Sequence, residues 1–361
     1  MSIFEAGAAL RVWAARHNLS ASAASAQVND PSIPGGLLNE AEHLFGELEP
    51  PALRAMNSRK VHAVAVNETE GTILMYLQRT FTKKQLDALP TSFHGYAVEY
   101  RQGVVGQIGA PPPSGVGSPS HYFDAGRLSC GSSIGLGGSM TAGTLGLLCR
   151  VGGALHGLSN NHVIGRCSYA EIDHPVLAPA NADINAACLF DPFTIGRYAG
   201  SAPLVFGSPG VTDPSSNLDA AMMRIEDEAT VSAMQGHAFP TPSIVGTLSD
   251  NLLVRKVGRT TGLTTGRVTG KIAGFQPVSS TVPEMQQQFL LFFSEGWIVE
   301  GDAGAFSAGG DSGSLVVAQG ESGELEAVGL LFAGDGTISL IAPLAPILAH
   351  FGATIESSLG I

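Results

Sequence analysis

The segment from Gly309 to Ser314, G-G-D-S-G-S, carries the strongest chemical signal in the chain. Glycines around a serine let the backbone turn so that N–H groups point to one spot beside the hydroxyl, as an oxyanion hole requires. The apolar segment L-V-V-A follows at once and predicts a strand behind the turn. A glycine-rich turn with a purely structural role is the alternative. The pattern favours Ser312 as a nucleophile.

A serine nucleophile needs a general base, and His162 is the best candidate upstream. It lies in L-S-N-N-H-V-I-G, directly after an apolar segment that resembles a strand. The base in turn needs a carboxylate that orients its ring. Asp219 is preferred because N-L-D-A-A-M-M-R-I places it at the start of an apolar strand, whereas Asp213, Asp227 and Asp250 lie in polar, turn-like sequence.

The elements that must position these residues are short strands joined by turns. The chain has 361 residues, enough for two or three packed units, and its 46 Gly and 21 Pro predict many tight turns. With 44% hydrophobic and 14% charged residues, it is neither a coiled coil nor a disordered chain. A net charge of −12 without a basic run argues against nucleic acid as a partner.

The organisation along the chain changes at a stretch dense in Pro and Gly. Residues 1–105 predict an N-terminal α+β domain, residues 106–125 a linker, and residues 126–361 a β-rich domain of many short strands. Within the N-terminal domain we expect a helix over 3–26 and a helical stretch over 37–57 that is broken at Pro50-Pro51. Two strands between 62 and 77, a short helix at 82–89 and a strand at 95–101 follow.

The N-terminal segment and the cysteines predict a cytoplasmic chain. Charged residues interrupt the first apolar stretch, which therefore predicts neither a secretory signal nor a membrane span, and no membrane partner. Cys130, Cys149, Cys167 and Cys188 have no C-x-x-C spacing, which argues against a structural zinc site. In a reducing cytosol we expect free thiols, and the sequence predicts no metal and no cofactor.

The three candidate residues occur in the chain order His, Asp, Ser. In this order, and over residues from about 130 to 350, the chain resembles the trypsin/chymotrypsin-like serine peptidases. The segments S-N-N-H-V, D-A-A and G-D-S-G-S are similar to those of a bacterial subset without disulfides. Residues 256–268, K-V-G-R-T-T-G-L-T-T-G-R-V, are similar to a segment of that subset and of plant narrow-leaf-type proteins. The resemblance implies a mainly β fold of two six-stranded antiparallel β-barrels, with the triad in the cleft between them. It assigns residues 256–268 to the opening strands of the second barrel, with no catalytic role.

The resemblance also implies the roles of single residues. His162 would be the general base, Asp219 its orienter and Ser312 the nucleophile, and the amides of Gly310 and Ser312 would form the oxyanion hole. The implied activity is that of a serine endopeptidase, a hydrolase that cleaves a protein or peptide substrate through an acyl-enzyme.

The substrate pocket is expected to accept an uncharged side chain. Phe306 lies six residues before the nucleophile, at the position of the pocket floor, where trypsins have Asp. Phe332 and Gly334 belong to the expected wall strand, so we expect a small or medium apolar residue before the cleaved bond. Asp302 and Asp335 are the carboxylates that would change this preference if they reached the pocket.

Two departures from the family bear on redox state and activation. Val163 follows the base, where secreted members have a bridged Cys, so Cys149 lacks that partner. In digestive relatives, an amine freed by cleavage pairs with the Asp before the nucleophile, here Asp311. The nearest look-alike of such a terminus, at Ile134, follows Ser133 instead of a basic residue. We therefore expect an internal partner for Asp311, activity at full length, and a regulatory or assembly role for the N-terminal domain.

Two other functions remain open from sequence alone. An α/β-hydrolase esterase could use the order Ser312, Asp335, His350, but that fold requires G-x-S-x-G, and Ser314 occupies the place of the second Gly. A protease-shaped scaffold or peptide-binding protein is the second alternative, although such relatives normally lose a triad member. A homo-oligomer is an open expectation for any soluble chain.

Overall fold

The computed structural model describes residues 2–21, 33–46, 48, 50–108, 121–184, 191–209, 211–282, 287–334 and 337–361. Its N-terminal part contains, in chain order, α1 (Ile3–Arg16), α2 (Gly35–Gly46), α3 (Pro50–Arg59), β1 (Val61–Asn67), β2 (Thr72–Leu77), α4 (Lys83–Leu86), β3 (Ser92–Phe93) and β4 (Tyr96–Gln102).

The middle of the chain forms a half-barrel. The elements of this part of the chain are β5 (Phe123–Asp124), β6 (Arg127–Cys130), β7 (Ser133–Leu136), β8 (Gly143–Thr144), β9 (Leu147–Val151), β10 (Ala154–Ser159), α5 (Asn161–Ile164), β11 (Pro175–Ala178), β12 (Phe193–Ser201), β13 (Ala221–Ile225), β14 (Val231–Gln235) and β15 (Phe239–Pro240). Of these, β15, β14, β6 and β5 pair in that order in a separate four-stranded sheet. A strand near the C-terminus, β25 (Thr354–Ile355), joins the sheet of the half-barrel. The eight strands of this sheet pair in the order β25, β9, β10, β13, β12, β11, β7 and β8.

The second unit is a closed barrel. The remaining elements are β16 (Ile244–Val245), β17 (Leu253–Gly258), β18 (Gly262–Ile272), β19 (Gln276–Val282), β20 (Gln287–Phe293), β21 (Trp297–Gly301), β22 (Leu315–Gln319), β23 (Leu325–Gly334), β24 (Ser339–Pro343) and α6 (Leu344–Phe351). The strands β17, β22, β23, β24, β21 and β18 pair antiparallel in that order, and β18 pairs with β17 again, which closes the ring. The predicted fold class, mainly β with a chymotrypsin-like double barrel, is confirmed.

The barrel core explains why these short segments become strands. Buried valines from opposite sides of the ring, among them Val254, Val268, Val299 and Val316, pack together inside it. Branched side chains of this kind pack well on a pleated surface that faces a core. The hairpin formed by β19 and β20 stands outside the ring.

The N-terminal strands continue the sheet of the second barrel. β1 pairs with β18 through Ala65 opposite Ile272 and Val66 opposite Lys271, and β2 and β4 extend the sheet further. Helix α1 lies so close to this sheet that a Cβ on Gly7 would come within 2.8 Å of the Val66 side chain. One face of this sheet is therefore covered by a helix. The other face packs on the central hydrophobic cluster through Ala63, Ala65, Leu74 and Tyr76. Cover on both faces accounts for the almost continuous burial of β1 and β2.

The N-terminal elements follow the predicted order. The helix expected over 3–26 ends at Arg16, and residues 22–26 of that prediction lie outside the described residues. The helical stretch expected over 37–57, with a break at Pro50-Pro51, is two helices, because Pro50 and Pro51 occupy the first turn of α3, where a missing N–H costs nothing. The domain boundaries remain a prediction, and residues 109–120 of the expected linker lie outside the described residues.

Candidate active site

Two neighbouring strands of the half-barrel bring His162 and Asp219 together. β10 pairs antiparallel with β13, and Ser159 at the end of β10 lies opposite Ala221 at the start of β13. His162 follows β10 in the short helix α5, and Asp219 precedes β13. The side chain of Asn160 donates a 2.5 Å hydrogen bond to the carbonyl of Asp219, which ties the two connections to each other.

The carboxylate of Asp219 holds His162 at two points. Its Oδ2 lies 2.5 Å from Nδ1 of His162, and its Oδ1 accepts the backbone N–H of His162 at 3.0 Å. Both residues are buried, with exposures of 5% and 1%. A carboxylate accepts hydrogen bonds and donates none, so Nδ1 carries the proton and Nε2 keeps its lone pair. His162 is therefore oriented as a general base.

The loop that carries Ser312 packs directly against the half-barrel. A Cβ on Gly313, whose φ is +95°, would lie 2.3 Å from Oγ of Ser159 and 2.4 Å from the carbonyl oxygen of Thr144. The N–H of Thr144 donates to the carbonyl of Ser312 at 2.8 Å. Only glycine permits this close approach, and it places Ser312 beside the end of β10, from which His162 follows.

The backbone beside Ser312 leaves two amides unused. Within the described part of the chain, the N–H groups of Gly310 and Ser312 have no hydrogen-bond acceptor. The carbonyl of Gly309 accepts the hydroxyl of Thr260 at 2.7 Å, and the carbonyl of Gly310 accepts the hydroxyl of Thr144 at 3.0 Å. Because C=O and N–H point in opposite directions across a trans peptide, the bond from Thr260 turns the N–H of Gly310 away from Thr260. This geometry is suited to an oxyanion hole.

Asp311 fixes the loop from its buried side. Its carboxylate accepts the N–H groups of Thr260, Thr261 and Ala308 at 2.7, 3.1 and 2.9 Å, and the hydroxyl of Thr261 at 2.6 Å. Nζ of Lys256 lies 3.3 Å from Oδ2, and both side chains are fully buried. Burial lowers the pKa of Lys256 below its ordinary value, and Asp311 opposes that shift. The internal partner expected for Asp311 is thus Lys256.

The sequence analysis missed the positioning role of residues 256–261. They do lie in β17 and at the turn into β18, two strands of the second barrel, as the resemblance implied. They do not line the cleft, but Lys256, Thr260 and Thr261 hold the loop next to the nucleophile. A lysine inside the apolar run L-L-V-R-K-V was the available signal, since a buried ammonium needs a partner.

His162 and Ser312 line one cavity of about 50 Å³. Its other lining residues are Gln107, Ile108, Thr141, Ala142, Ser307, Ala308, Gly309, Gly310, Leu331, Ala333 and Gly334. The hydroxyl of Ser312 has no hydrogen-bond partner among the described residues, so it is not bonded to Nε2 of His162 in this state. Such a bond is often long in the free enzyme and tightens when substrate binds.

Two of the three expected pocket residues do not line this cavity. The side chain of Phe306 packs into the core of the second barrel, against the backbone of Gly266. Phe332 packs against Phe293, with the two rings tilted by 45°. Both are bulky apolar side chains, and the adjacent core is where they bury the most surface. Gly334 does line the cavity, where Oγ of Ser307 lies 2.8 Å from the position that a Cβ would take.

The other carboxylates and the alternative base lie elsewhere or outside the described residues. Asp302 is exposed and lines a separate surface depression beside Arg255 and Gln319. His350 is exposed on α6 and does not line the cavity. Asp335 lies outside the described residues.

Three of the four cysteines lie in the described part of the chain. Cys130, Cys149 and Cys167 are buried and form no disulfide there, and Cys188 lies outside the described residues. Burial raises the pKa of Cys130 and of Cys149 to about 12. In the described ranges, no three His, Cys, Asp or Glu residues group so that they could hold a metal, and no helix has the length and hydropathy of a membrane span.

Comparisons with known proteins find similarity in structure but not in sequence. No family model matches the chain, and no curated protein matches it. Thermobifida fusca protease A matches at 18% identity with a TM-score of 0.40, over 63% of this chain and 98% of its own. The Cellulomonas bogoriensis chymotrypsin matches at 17% identity and 0.40, and the Nocardiopsis protease at 16% and 0.39, with the same coverage of both chains. All three are bacterial proteases by name. The roles of this chain's residues rest on the geometry above.

Proposed function

We propose that this protein is a serine endopeptidase of the trypsin/chymotrypsin-like class. The observation that carries the proposal is that His162, paired with the buried Asp219, lines one cavity with Ser312 and Gly310. The amides of Gly310 and Ser312 have no acceptor among the described residues. Each of these features is common alone, but their combination in one cleft meets the requirements of acyl transfer. Membership of the disulfide-free bacterial and plant-like subset is part of this proposal.

The geometry supports a two-step hydrolysis. Nε2 of His162 takes the proton of Ser312 as Oγ attacks the scissile carbonyl, and the N–H groups of Gly310 and Ser312 stabilise the oxyanion. Asp219 keeps the proton of the ring on Nδ1 and stabilises the imidazolium that forms. The imidazolium then protonates the leaving amine, which leaves an acyl-enzyme on Ser312. Water hydrolyses this ester in the same way.

The cavity favours a small uncharged side chain before the cleaved bond. Its walls include Ala308, Gly309, Ala333 and Gly334, and among the described residues that line it His162 is the only titratable one. No carboxylate of the described lining would neutralise Lys or Arg, and no Arg or Lys of that lining would pair with Glu. A volume of about 50 Å³ is far below the roughly 300 Å³ of a small ligand pocket. We therefore infer a preference for residues such as Ala over Leu, Phe, Arg or Lys.

We place this activity in the cytoplasm. The support is that the three described cysteines form no disulfide, together with the interrupted N-terminal apolar stretch. Protein or peptide substrates are the proposed partners.

The test is cleavage of a peptide library, read by mass spectrometry, with the wild-type protein and with Ser312→Ala. We expect cleavage after small residues in the wild type and none in the variant. Ser322→Ala, which removes an exposed hydroxyl in a turn outside the cavity, is the matched control and should cleave like the wild type. Cleavage of the same peptides by Ser312→Ala at the wild-type rate would rule out the proposal.

A further inference from the structure

The segment that leaves the N-terminal sheet enters the candidate active site. After β4 ends at Gln102, the chain runs through residues 103–108, and Gln107 and Ile108 line the same cavity as His162 and Ser312. The two barrel units supply the other lining residues. Ile108 is 2% exposed and packs in the central hydrophobic cluster of the protein. One wall of the cavity is therefore built by a part of the chain that lies before both barrel units.

Contacts at both ends hold this segment in place. Gly103 donates to the carbonyl of Leu77 at 2.8 Å, and a Cβ on Gly103 would lie 2.5 Å from the ring of Tyr76. The N–H of Val104 donates to the hydroxyl of Thr337 at 3.0 Å, which ties the segment to the connection between β23 and β24.

The far end pairs with the hairpin that stands outside the second barrel. The N–H of Ile108 donates to the carbonyl of Ser279 at 2.9 Å, and its carbonyl accepts the N–H of Thr281 at 3.2 Å. The side chain of Gln107 hydrogen-bonds to the hydroxyl of Thr281 and accepts from Gln288 at 3.2 Å. Both the N–H and the carbonyl of Ile108 are thus hydrogen-bonded to β19. The hairpin of β19 and β20 therefore determines the position of Ile108 in the cavity.

We propose that Ile108 determines substrate specificity, because its side chain limits the space for the residue before the cleaved bond. This inference rests on the proposed peptidase function. A cavity of about 50 Å³ holds a few water molecules, or a side chain as small as that of Ala. Truncation of Ile108 removes three carbon atoms from a wall that is otherwise built largely from Ala and Gly residues, so a larger substrate side chain gains the space.

The experiment compares kcat/KM for peptides that differ only in the residue before the cleaved bond, Ala or Leu, in the wild type and in Ile108→Ala. We expect the Leu-to-Ala ratio of kcat/KM to rise at least about tenfold in the variant, since single methylene groups in such pockets discriminate by about 10- to 200-fold. Ile347→Ala is the matched control, because Ile347 on α6 is a buried isoleucine of the same cluster that does not line the cavity. It should leave the ratio unchanged.

A small fluorophosphonate probe separates the two levels of the proposal. If wild-type Ser312 is labelled but the ratio is the same in the wild type and in Ile108→Ala, the specificity role is wrong while the peptidase function stands. If the wild type is neither labelled nor able to cleave, the proposed function itself fails. An increase in labelling rate at an unchanged ratio would also contradict us, since it would make the segment an obstruction to the site.

A gentler variant keeps the inference testable if Ile108→Ala does not fold. Ile108→Val removes one methyl group and should raise the Leu-to-Ala ratio by a smaller factor in the same direction. A ratio that does not change in a folded, probe-reactive Ile108→Val protein would overturn the proposal.

Discussion

The two sides of the candidate active site are held together in different ways. On the half-barrel side, one carboxylate contacts both the ring and the backbone of His162, so the orientation of the base depends on Asp219. On the second-barrel side, the hydroxyl of Ser312, the proposed nucleophile, makes no hydrogen bond to a described residue. The loop around it is fixed through its neighbour Asp311, which accepts four hydrogen bonds and pairs with Lys256.

Because of this difference, substitutions on the two sides should affect different quantities. A change at His162 or Asp219 alters the protonation or orientation of the base and should act almost entirely on kcat. A change at Asp311 or Lys256 alters buried charge and loop position, and should act on both stability and kcat. The variants that follow break one side at a time.

The largest effect is expected on the reacting groups themselves. Ser312→Ala and His162→Ala should each lower kcat by about six orders of magnitude, because nucleophile and base act as one unit. Asp219→Asn should lower it by about 10⁴-fold, since an amide at this position favours the wrong tautomer of His162. Single-turnover kinetics with a cleavable peptide would measure all three. A wild-type kcat in either alanine variant would contradict the assignment.

A smaller effect on catalysis, with a cost in stability, is expected at Asp311. Asp311→Asn leaves the buried ammonium of Lys256 without its counter-charge, and we expect the free energy of unfolding to fall by about 3–5 kcal/mol. The oxyanion amides should shift, with a loss in kcat of about 10²- to 10³-fold. Denaturant unfolding and steady-state kinetics would measure the two effects.

The control for that prediction removes both charges. In Lys256→Met combined with Asp311→Asn no buried charge is left unpaired, so stability should recover above that of Asp311→Asn while kcat stays low. If the double variant is less stable than either single variant, the two residues do not interact as the structure indicates.

At alkaline pH, the dependence of kcat on pH should reflect the ion pair of Lys256 and Asp311. Burial lowers the pKa of Lys256, so Nζ loses its proton at a pH below the ordinary lysine pKa of about 10.4. Asp311 then loses its counter-charge. We expect kcat to fall as the pH rises through this lowered pKa. Stability should change in the opposite direction: the unfolded chain binds this proton more tightly, so the contribution of Lys256 to the free energy of unfolding rises with pH between the two pKa values.

Lys256→Arg tests this assignment, because a guanidinium stays charged throughout the range. Its pH profile should lack the alkaline fall below pH 10. A fall that persists unchanged in Lys256→Arg would assign it to another group.

The smallest effect is expected from redox treatment. The three described cysteines are buried and form no disulfide. That Cys188 is also a reduced thiol remains a prediction. Thiol counting should find four reactive thiols only after denaturation. In the native protein Cys130 and Cys149 should react slowly, because burial raises the pKa of both to about 12. Reductant should leave activity unchanged. Bridged peptides in protein isolated without reductant, together with loss of activity on reduction, would contradict this prediction.

The sequence was most informative where local chemistry is dense. The turn around Ser312, the strand before His162 and the strand after Asp219 are local patterns, and the structure brings all three residues to the cleft region by ordinary strand pairing. The fold class followed from the same density of short strands and from the family resemblance.

The sequence was least informative about contacts between distant segments. Phe306 was expected at the pocket floor, but a local pattern does not show whether a phenylalanine faces a cleft or the adjacent core. Ile108 reaches the site from a segment about 200 residues before Ser312, through a sheet that joins the N-terminal strands to β18. Such contacts depend on tertiary pairing, for which neither periodicity nor motif gives a signal.

The most direct test of the catalytic assignment is labelling of the intact, full-length protein with a fluorophosphonate probe, with the N-terminus and the labelled residue identified by mass spectrometry. We expect stoichiometric labelling of Ser312 without prior cleavage of the chain, loss of labelling in His162→Ala, and unchanged labelling in His350→Ala. No labelling of the wild type would indicate a scaffold, labelling that depends on His350 would indicate an esterase, and labelling only after a cut between residues 100 and 140 would contradict activity at full length.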